Sequence, residues 1–218
     1  MEKYRQNIDI NDSETTQAKL VKLTGKNKKV LEFGCANGRM SKHLKENGCK
    51  IIGVEIDRQD AEAARAFCEE VIVGDIEDSS ILQKIKTKFD VIIFGDVLEH
   101  LKKPERILSA VSDFLNEGGY VLVSLPNIAY FTVRKDLLFG RFKYDDKGGI
   151  IDTEHIRFFT LATAKKMFFN CGYDVAHFDV LSVPRFKRFR FLYDLLKVFP
   201  SFFGYELIFI LKPRAGNK

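Results

Sequence analysis

Residues 30–39, VLEFGCANGR, constrain this chain more than any other stretch. Val30, Leu31 and Phe33 make a short β-biased apolar run. It breaks into a turn bracketed by Gly34 and Gly38, after which a helix begins. Glycine permits backbone angles and close approaches that a Cβ blocks. A turn of this kind, at the carboxyl end of a strand and opening onto a helix N-terminus, is where nucleotide-like ligands bind. Glu32 is the unusual member. A carboxylate in the last turn of a buried strand is costly unless it is hydrogen-bonded or paired, and a cationic or donor-rich ligand supplies such a partner. Spacing then separates two ligand classes. A dinucleotide fold uses G-x-G-x-x-G and sets a pyrophosphate beside the turn, where an acid would repel it. From Gly34 this chain reads G-x-x-x-G, with Ala36 and Arg39 at the second and third glycine positions.

Strand and helix signals alternate from there to residue 125. They predict a helix over 16–23, capped by Thr15 or Thr16 and ended at Gly25 and Asn27. Helices follow over 40–46, over 59–69, up to about 86, and over 99–115 with Pro104 early in it. Strands are expected over 51–57, 71–73, 89–94 and, after a turn at 116–119, over 120–125. Such alternation means a parallel α/β sheet wound on both faces. The tail adds a helix over 161–170 and strands over 173–180 and 205–211. Glu55 closes the second strand, 21 positions after Gly34, where an acid accepts from both hydroxyls of an adenosine ribose. That signal is shared with dinucleotide folds and does not choose between cofactors.

The 218 residues, 45% hydrophobic and 30% charged, fit one domain with a substantial core. No apolar run approaches the roughly 20 residues that span a bilayer, and the polar N-terminus has no secretory h-region. Cysteines 35, 49, 68 and 171 show no C-x-x-C spacing, as expected of thiols in a reducing cytosol. A cytoplasmic location follows, and the net charge of +5 is too mild to name a partner.

Taken together, EFGCANG, GVEID, GDIED, FDVIIFGDVLEHL and LNEGGYVLVSLPN stand in an order and spacing that resemble the S-adenosylmethionine (SAM)-dependent class I methyltransferases of the ubiquinone-biosynthesis-like superfamily. The stretches LFGRFKY (138–144) and GIIDTEHIRFFT (149–160) resemble a branch associated with surface-polysaccharide glycosyltransferases. The resemblance implies a Rossmann-like α/β fold, doubly wound, with a seven-stranded sheet, mostly parallel with an antiparallel last strand, in a single domain over 1–218. Residues 28–125 would be its cofactor-binding half, and 126–218 the acceptor-covering loop, helix and closing strand hairpin. It implies SAM as cofactor and S-adenosylhomocysteine as product. Glu32 would lie near the ligand's amino group, with Gly34 and Gly38 letting the backbone pass close to it. Glu55 would hold the ribose, Asp75 the adenine amino group, and Ile76 would pack on the ring. Cys35, Asn37, Ile56 and Gly95 complete the cofactor set, although the turn is less glycine-rich than the commonest pattern.

Methyl transfer needs positioning and, for a hydroxyl acceptor, a base near its proton. Asp96, at the end of the fourth strand, is a candidate to orient an acceptor hydroxyl; its other reading is the N-cap of a helix over 99–115. His155, flanked by Asp152, Glu154 and Arg157, is the best candidate for a general base; its other reading is a residue that holds its loop. His100 reads as structural. Asn127, Tyr130 and Arg134 are candidates to line the acceptor pocket, and Gly140, Gly148 and Gly149 to hinge a lid. No set of His, Cys and acid residues has metal-ligand spacing in the sequence, so no metal is expected.

The favoured acceptor is a small-molecule hydroxyl, on a sugar or a polysaccharide or glycolipid precursor. A quinone-like phenol or an amine, a non-catalytic SAM-binding module, and an NAD-dependent reductase are the alternatives, the last opposed by Glu32. Basic and aromatic residues interleave over 185–203, a candidate for peripheral contact with a membrane or lipid-linked substrate. Its other reading, the favoured one, is a helix packed on the sheet with its cations in water. Nucleic acid is not an expected partner, because the fourth strand ends in GDVL where an exocyclic-amine enzyme carries D/N-P-P-aromatic.

Overall fold

A computed structural model describes residues 15–146, 148–181 and 198–214. The expected polar N-terminal segment, to residue 14, and most of the basic aromatic stretch (185–197) lie outside the described residues. Seven strands form one sheet: β1 (Lys29–Phe33), β2 (Lys50–Glu55), β3 (Glu70–Val73), β4 (Phe89–Gly95), β5 (Leu115–Pro126), β6 (Tyr173–Leu181) and β7 (Glu206–Pro213). Their order is β3-β2-β1-β4-β5-β7-β6. The first five run parallel, and β7 is antiparallel to both β5 and β6. The expected doubly wound, mostly parallel sheet with an antiparallel last strand is what forms.

The central strands read as unbroken apolar runs because both faces of the sheet are covered. Successive side chains point to opposite faces. Leu31, Phe33, Ile92, Phe94, Val121 and Val123 enter one core, shared with Ile107 and Leu108 of α5 (Pro104–Val111) and Met167 and Phe168 of α7 (Leu161–Asn170). Val30, Val91, Ile93 and Leu122 enter the other, against Leu20 and Val21 of α1 (Thr16–Thr24) and Leu44 of α2 (Arg39–Glu46). Phe33 and Phe94 stack at 4.8 Å between centroids. Truncating either ring to alanine costs about 3–5 kcal/mol.

Caps set the helix starts. The Thr15 side chain accepts from Ala18 N–H at 3.2 Å. Asp57 accepts from the N–H groups of Gln59 and Asp60 to start α3 (Arg58–Ala64), and Asp78 from Ser80 N–H to start α4 (Ser79–Lys84). Thr160 and Thr163 form a reciprocal capping box at α7.

Three elements differ from the sequence expectation. The helix after β2 ends at Ala64, not 69, because Phe67 and Cys68 turn their N–H groups back onto Ala64 O and Glu69 N–H already pairs with Ile51 O of β2. The helix expected over 99–115 is divided into a 3-10 turn (Leu98–His100), α5 and a second 3-10 turn (Ser112–Phe114). The turn expected at 116–119 is an irregularity inside β5: Phe89 pairs with Leu115 and Val91 with Tyr120, so four residues oppose Asp90. Asp90 steadies it by accepting from Asn116 Nδ2 at 2.8 Å. The structure also holds α6 (Phe131–Leu138) and a short α8 (Pro200–Phe203). Among the described residues, no helix is long and apolar enough to cross a membrane.

Candidate functional site

A cleft of about 620 Å³ opens at the carboxyl ends of β1 to β4, with Thr16, Gln17 and Leu20 of α1 along one side. This is the crevice where the strand order reverses between β1 and β4, the usual ligand position in an open parallel sheet. Of the expected cofactor residues, Glu32, Gly34, Cys35, Asn37, Glu55, Ile56, Asp75, Ile76 and Gly95 line it.

Each strand end supplies one acid. Glu32 is 1% exposed, and Ser41 of α2 donates to its Oε2 at 2.6 Å. Burial pushes this carboxyl up to about 8, although the Ser41 hydrogen bond works the other way. Glu55 organises the neighbouring turn: its Oε2 accepts from Ala36 N–H at 2.8 Å, and its Oε1 from the N–H groups of Ile56 and Asp57 at 2.8 and 2.9 Å. Ala36 needs this anchor because it sits at φ 45°, a left-handed geometry that costs a Cβ-bearing residue roughly 1–2 kcal/mol. Asp75 accepts from Glu77 N–H at 2.8 Å, which bends the chain across the end of β3. The Asn37 amide oxygen is buried with no hydrogen-bond partner among the described residues. Ile56 is an apolar side chain left 65% exposed at the cleft.

Gly38 does not line the cleft. It starts α2 at φ 79°, and a Cβ there would lie 2.8 Å from Ala64 Cα and 2.9 Å from the Phe67 ring. The close approach that requires glycine is to α3 and its following turn, not to a ligand. At Gly34 a Cβ would meet Val97 Cγ2 at 2.7 Å.

Asp96 lines the cleft at φ 55° and caps no helix: Val97 precedes the 3-10 turn and Lys103 precedes α5. The Ser124 hydroxyl of β5 donates to Asp96 Oδ1 at 2.5 Å and accepts from its N–H at 2.9 Å. Glu206, the first residue of β7, is pushed well above the usual carboxyl range, first by burial and then by the nearby Asp96 charge, and its Oε1 is buried with no hydrogen-bond partner among the described residues.

His155 was expected in a loop covering the acceptor. It is instead buried behind the cleft wall, 9% exposed, with Nδ1 3.1 Å from Ile150 O and its ring edge-on to His100 at 4.8 Å. Burial lowers its pKa. Its neighbours on the cleft surface are His100 and Glu154. Asp152 and Glu99 hold the loop, Asp152 by accepting from Glu154 N–H and Glu99 through its backbone carbonyl, which accepts from Ile156 and Arg157 N–H. Glu99, His100 and His155 gather in space although the sequence spacing carries no metal-ligand pattern.

Asn127, Tyr130 and Arg134 also fall away from the cleft lining. Asn127 is a buried clasp, donating to Ser201 O and Gly204 O and accepting from Ala129 N–H. Tyr130 packs with Val133 and Ile150, and Arg134 donates to Ala129 O. Ser41, Ser124 and Glu206 are the residues that sequence reasoning missed. A polar residue inside the apolar face of a helix or strand is their one signal.

A family model described as a methyltransferase domain matches residues 8–177. The chain belongs to this family. Among curated proteins it is 29% identical over 108 residues to a ubiquinone biosynthesis O-methyltransferase of Coxiella burnetii, covering 48% of this chain and 46% of that protein. To the protein of that description in Nitrosococcus oceani it is 31% identical over 104 residues, covering 46% and 44%. The chain thus spans about half the length of the curated relatives it matches. Among solved structures it resembles a SAM-dependent methyltransferase from Archaeoglobus fulgidus, with TM-score 0.66 and 17% identity over 90% of this chain and 92% of that one. It also resembles magnesium protoporphyrin IX methyltransferase from Synechocystis with bound SAH, with TM-score 0.62 and 16% identity over 92% and 82%. At these identities the structural likeness is one of fold.

Proposed function

We propose that this methyltransferase-family chain transfers the methyl group of SAM to a hydroxyl of a small molecule. One observation carries the reading: a single cleft presents Glu32, Glu55 and Asp75 in succession along the ends of β1, β2 and β3, with Asp96 at the end of β4. The residues present fit the cofactor. The buried Glu32 carboxyl would hold its amino group, and the orphaned Asn37 oxygen would accept a hydrogen bond beside it. Glu55 keeps acceptor lone pairs for the ribose hydroxyls, and Asp75 for the adenine amine. Ile56 would be covered by the base. When bound, SAM supplies an electrophilic methyl group on a sulfonium.

Asp96 orients the acceptor hydroxyl, and Ser124 fixes that carboxyl in place. Positioning of this kind is worth several kcal/mol of barrier. His155 does not face the cleft, so direct proton abstraction by that residue is not part of this mechanism.

The sugar-type acceptor is favoured by the resemblance of residues 138–160 to a branch associated with surface-polysaccharide glycosyltransferases. A quinone-like phenol is the second reading, favoured by the names of the curated relatives. The deciding experiment is calorimetric titration with SAM and S-adenosylhomocysteine, with NADH as control. We expect the first two to bind and NADH not to. A folded sample that binds neither overturns the proposal. An acceptor screen of nucleotide sugars, glycolipids and catechol-type phenols, read as S-adenosylhomocysteine released, then separates the two acceptor readings.

A further inference from the structure

Two thiols converge across β2 on the turn that follows β1. Cys35 stands in that turn, is 3% exposed and lines the cleft. Cys68 stands in the turn after α3, where its N–H bonds to Ala64 O, and is half-buried. Gly53 of β2 lies between them: a Cβ there would meet Cys35 Sγ at 2.6 Å and Cys68 Sγ at 3.4 Å. Gly53 has no left-handed φ, so what requires glycine is the room that the sulfurs take. Both distances start from one point, so the sulfurs lie within about 6 Å of each other, and side-chain rotation with a small shift of the turn brings them to the roughly 2.0 Å of an S–S bond.

Their surroundings give the two thiols different roles. Lys45 Nζ donates to Ala66 O at 2.9 Å, which holds an ammonium against the segment that carries Cys68. The Cys35 thiol beside it, followed by Ser41 and Lys45, brings Cys68 down to about 7, although partial burial works the other way. Cys68 and burial push the Cys35 thiol up. An accessible thiolate is the attacking member of such a pair, and a protonated neighbour resolves it. Cys49 and Cys171 are placed otherwise, their S–H groups directed to the backbone carbonyls of Gly25 at 3.7 Å and Glu105 at 3.5 Å.

We infer that Cys35 and Cys68 form a reversible dithiol–disulfide pair whose oxidised form disables the cofactor turn between β1 and α2. The oxidant is a low-molecular-weight disulfide of the oxidised-glutathione class. The Cys68 thiolate attacks one of its sulfurs, the S–S bond breaks, and one small thiolate leaves. The Cys35 thiol gives its proton to that thiolate, attacks Cys68 Sγ and expels the second small thiolate. Two electrons thus pass from the protein to the small disulfide, and an added dithiol returns them. Gly34 and Cys35 N–H both donate to Val54 O, and the adjoining Ala36 N–H is held by Glu55. Drawing Cys35 Sγ onto Cys68 pulls the turn against these bonds and loosens the grip of Glu55. The effect on cofactor affinity rests on the methyl-donor reading, whereas the pairing of the thiols does not.

The test uses the full chain, reduced with dithiothreitol, desalted, incubated with oxidised glutathione at neutral pH, alkylated with iodoacetamide and mapped by peptide mass spectrometry. We expect the Cys35 and Cys68 peptides in one disulfide link that dithiothreitol removes, with Cys49 and Cys171 alkylated. Calorimetry should show S-adenosylhomocysteine bound about tenfold or more weakly by the oxidised protein, through loss of a preorganised turn, and affinity restored on reduction. Cys68→Ser should bind like the reduced wild type and keep that affinity through the oxidant, and Cys171→Ser should respond as the wild type does. Circular dichroism establishes that each variant is folded. Absence of the link, a mixed disulfide on Cys68 with Cys35 alkylated, or a link that leaves affinity unchanged overturns the switch. So does an equal loss of affinity in oxidant-treated Cys68→Ser. A reduced protein that binds no S-adenosylhomocysteine sinks the methyl-donor reading alone, and the peptide map still decides whether the thiols pair.

Discussion

Replacing Glu32 with glutamine isolates the one buried acid that the methyl-donor reading cannot do without. The carboxyl is enclosed between β1 and α2, and burial raises it to about 8 despite the Ser41 donor. At pH 7 such a group is about 90% protonated. A cationic amine seated against it favours the carboxylate, so ligand binding must expel a proton. Between pH 6 and 7 the ionised fraction of the free protein rises from about 1% to about 9%, while an α-amino group, with its usual pKa of about 7.7–8.0, stays mostly charged. The Kd for S-adenosylhomocysteine should therefore fall five- to tenfold over that unit, equivalent to about 1–1.4 kcal/mol. Calorimetry at pH 7 in two buffers of different ionisation enthalpy should report net release of about 0.8 proton, the loss from Glu32 less the small uptake by the amine. Glu32→Gln should bind more weakly, release no proton from this position and show none of this pH step. A wild-type Kd that stays flat from pH 6 to 7, with no buffer dependence, refutes the reasoning. The stability of the ligand-free protein runs the opposite way with pH. The folded carboxyl holds its proton above the unfolded value, so Glu32 favours folding below about pH 4.5 and loses that contribution as pH rises through about 8. Glu32→Gln should gain on the wild type in melting temperature across that window.

Glu55→Ala removes the acceptor of three backbone N–H groups, so thermal unfolding should show a loss of about 2–3 kcal/mol and calorimetry a SAM affinity at least tenfold weaker; unchanged affinity would mean that the ribose lies elsewhere. Gly38→Ala strains a φ of 79° and drives a Cβ to within 2.8 Å of Ala64 Cα, so denaturant titration should show a loss of about 2 kcal/mol or more, and an unshifted midpoint contradicts the packing role. Ser124→Ala strips Asp96 of the hydroxyl that holds both its side chain and its N–H. Once an acceptor is known, kcat should drop while KM for SAM stays put, and a change in KM alone would disprove the positioning role.

Much of the sheet was readable because its signals are local. The runs at 30–33, 51–55 and 89–94 need only apolar composition and a following glycine or acid to declare a buried parallel strand, and Glu32, Glu55 and Asp75 stand at strand ends that alternation already locates. Boundaries were harder. The residues at 116–119 carry turn chemistry and do turn, but pairing with β4 on either side draws them into one long strand. The helix over 99–115 was overextended because apolar periodicity does not register the break at Leu101–Lys103, where backbone groups bond to Glu77 and Arg157 from elsewhere in the chain.

What the sequence determined by itself is the doubly wound sheet and the row of acids at its carboxyl edge, since both follow from short-range pattern and strand direction. Only the tertiary structure decided which side of a loop faces the cleft. His155 looks exposed and catalytic among its charged neighbours, yet the carbonyls of Ile150 and Glu99 fold its loop inward until its ring meets His100 and Glu99, more than fifty positions away. Gly38 looks like a ligand glycine, yet it serves the packing of a helix. Ser41, Ser124 and Glu206 gain their roles by lying against Glu32 and Asp96. The physical reason is common to all of them: a hydrogen bond or a desolvated charge depends on which atoms lie within about 3–4 Å, and between distant segments only the packed fold sets that distance.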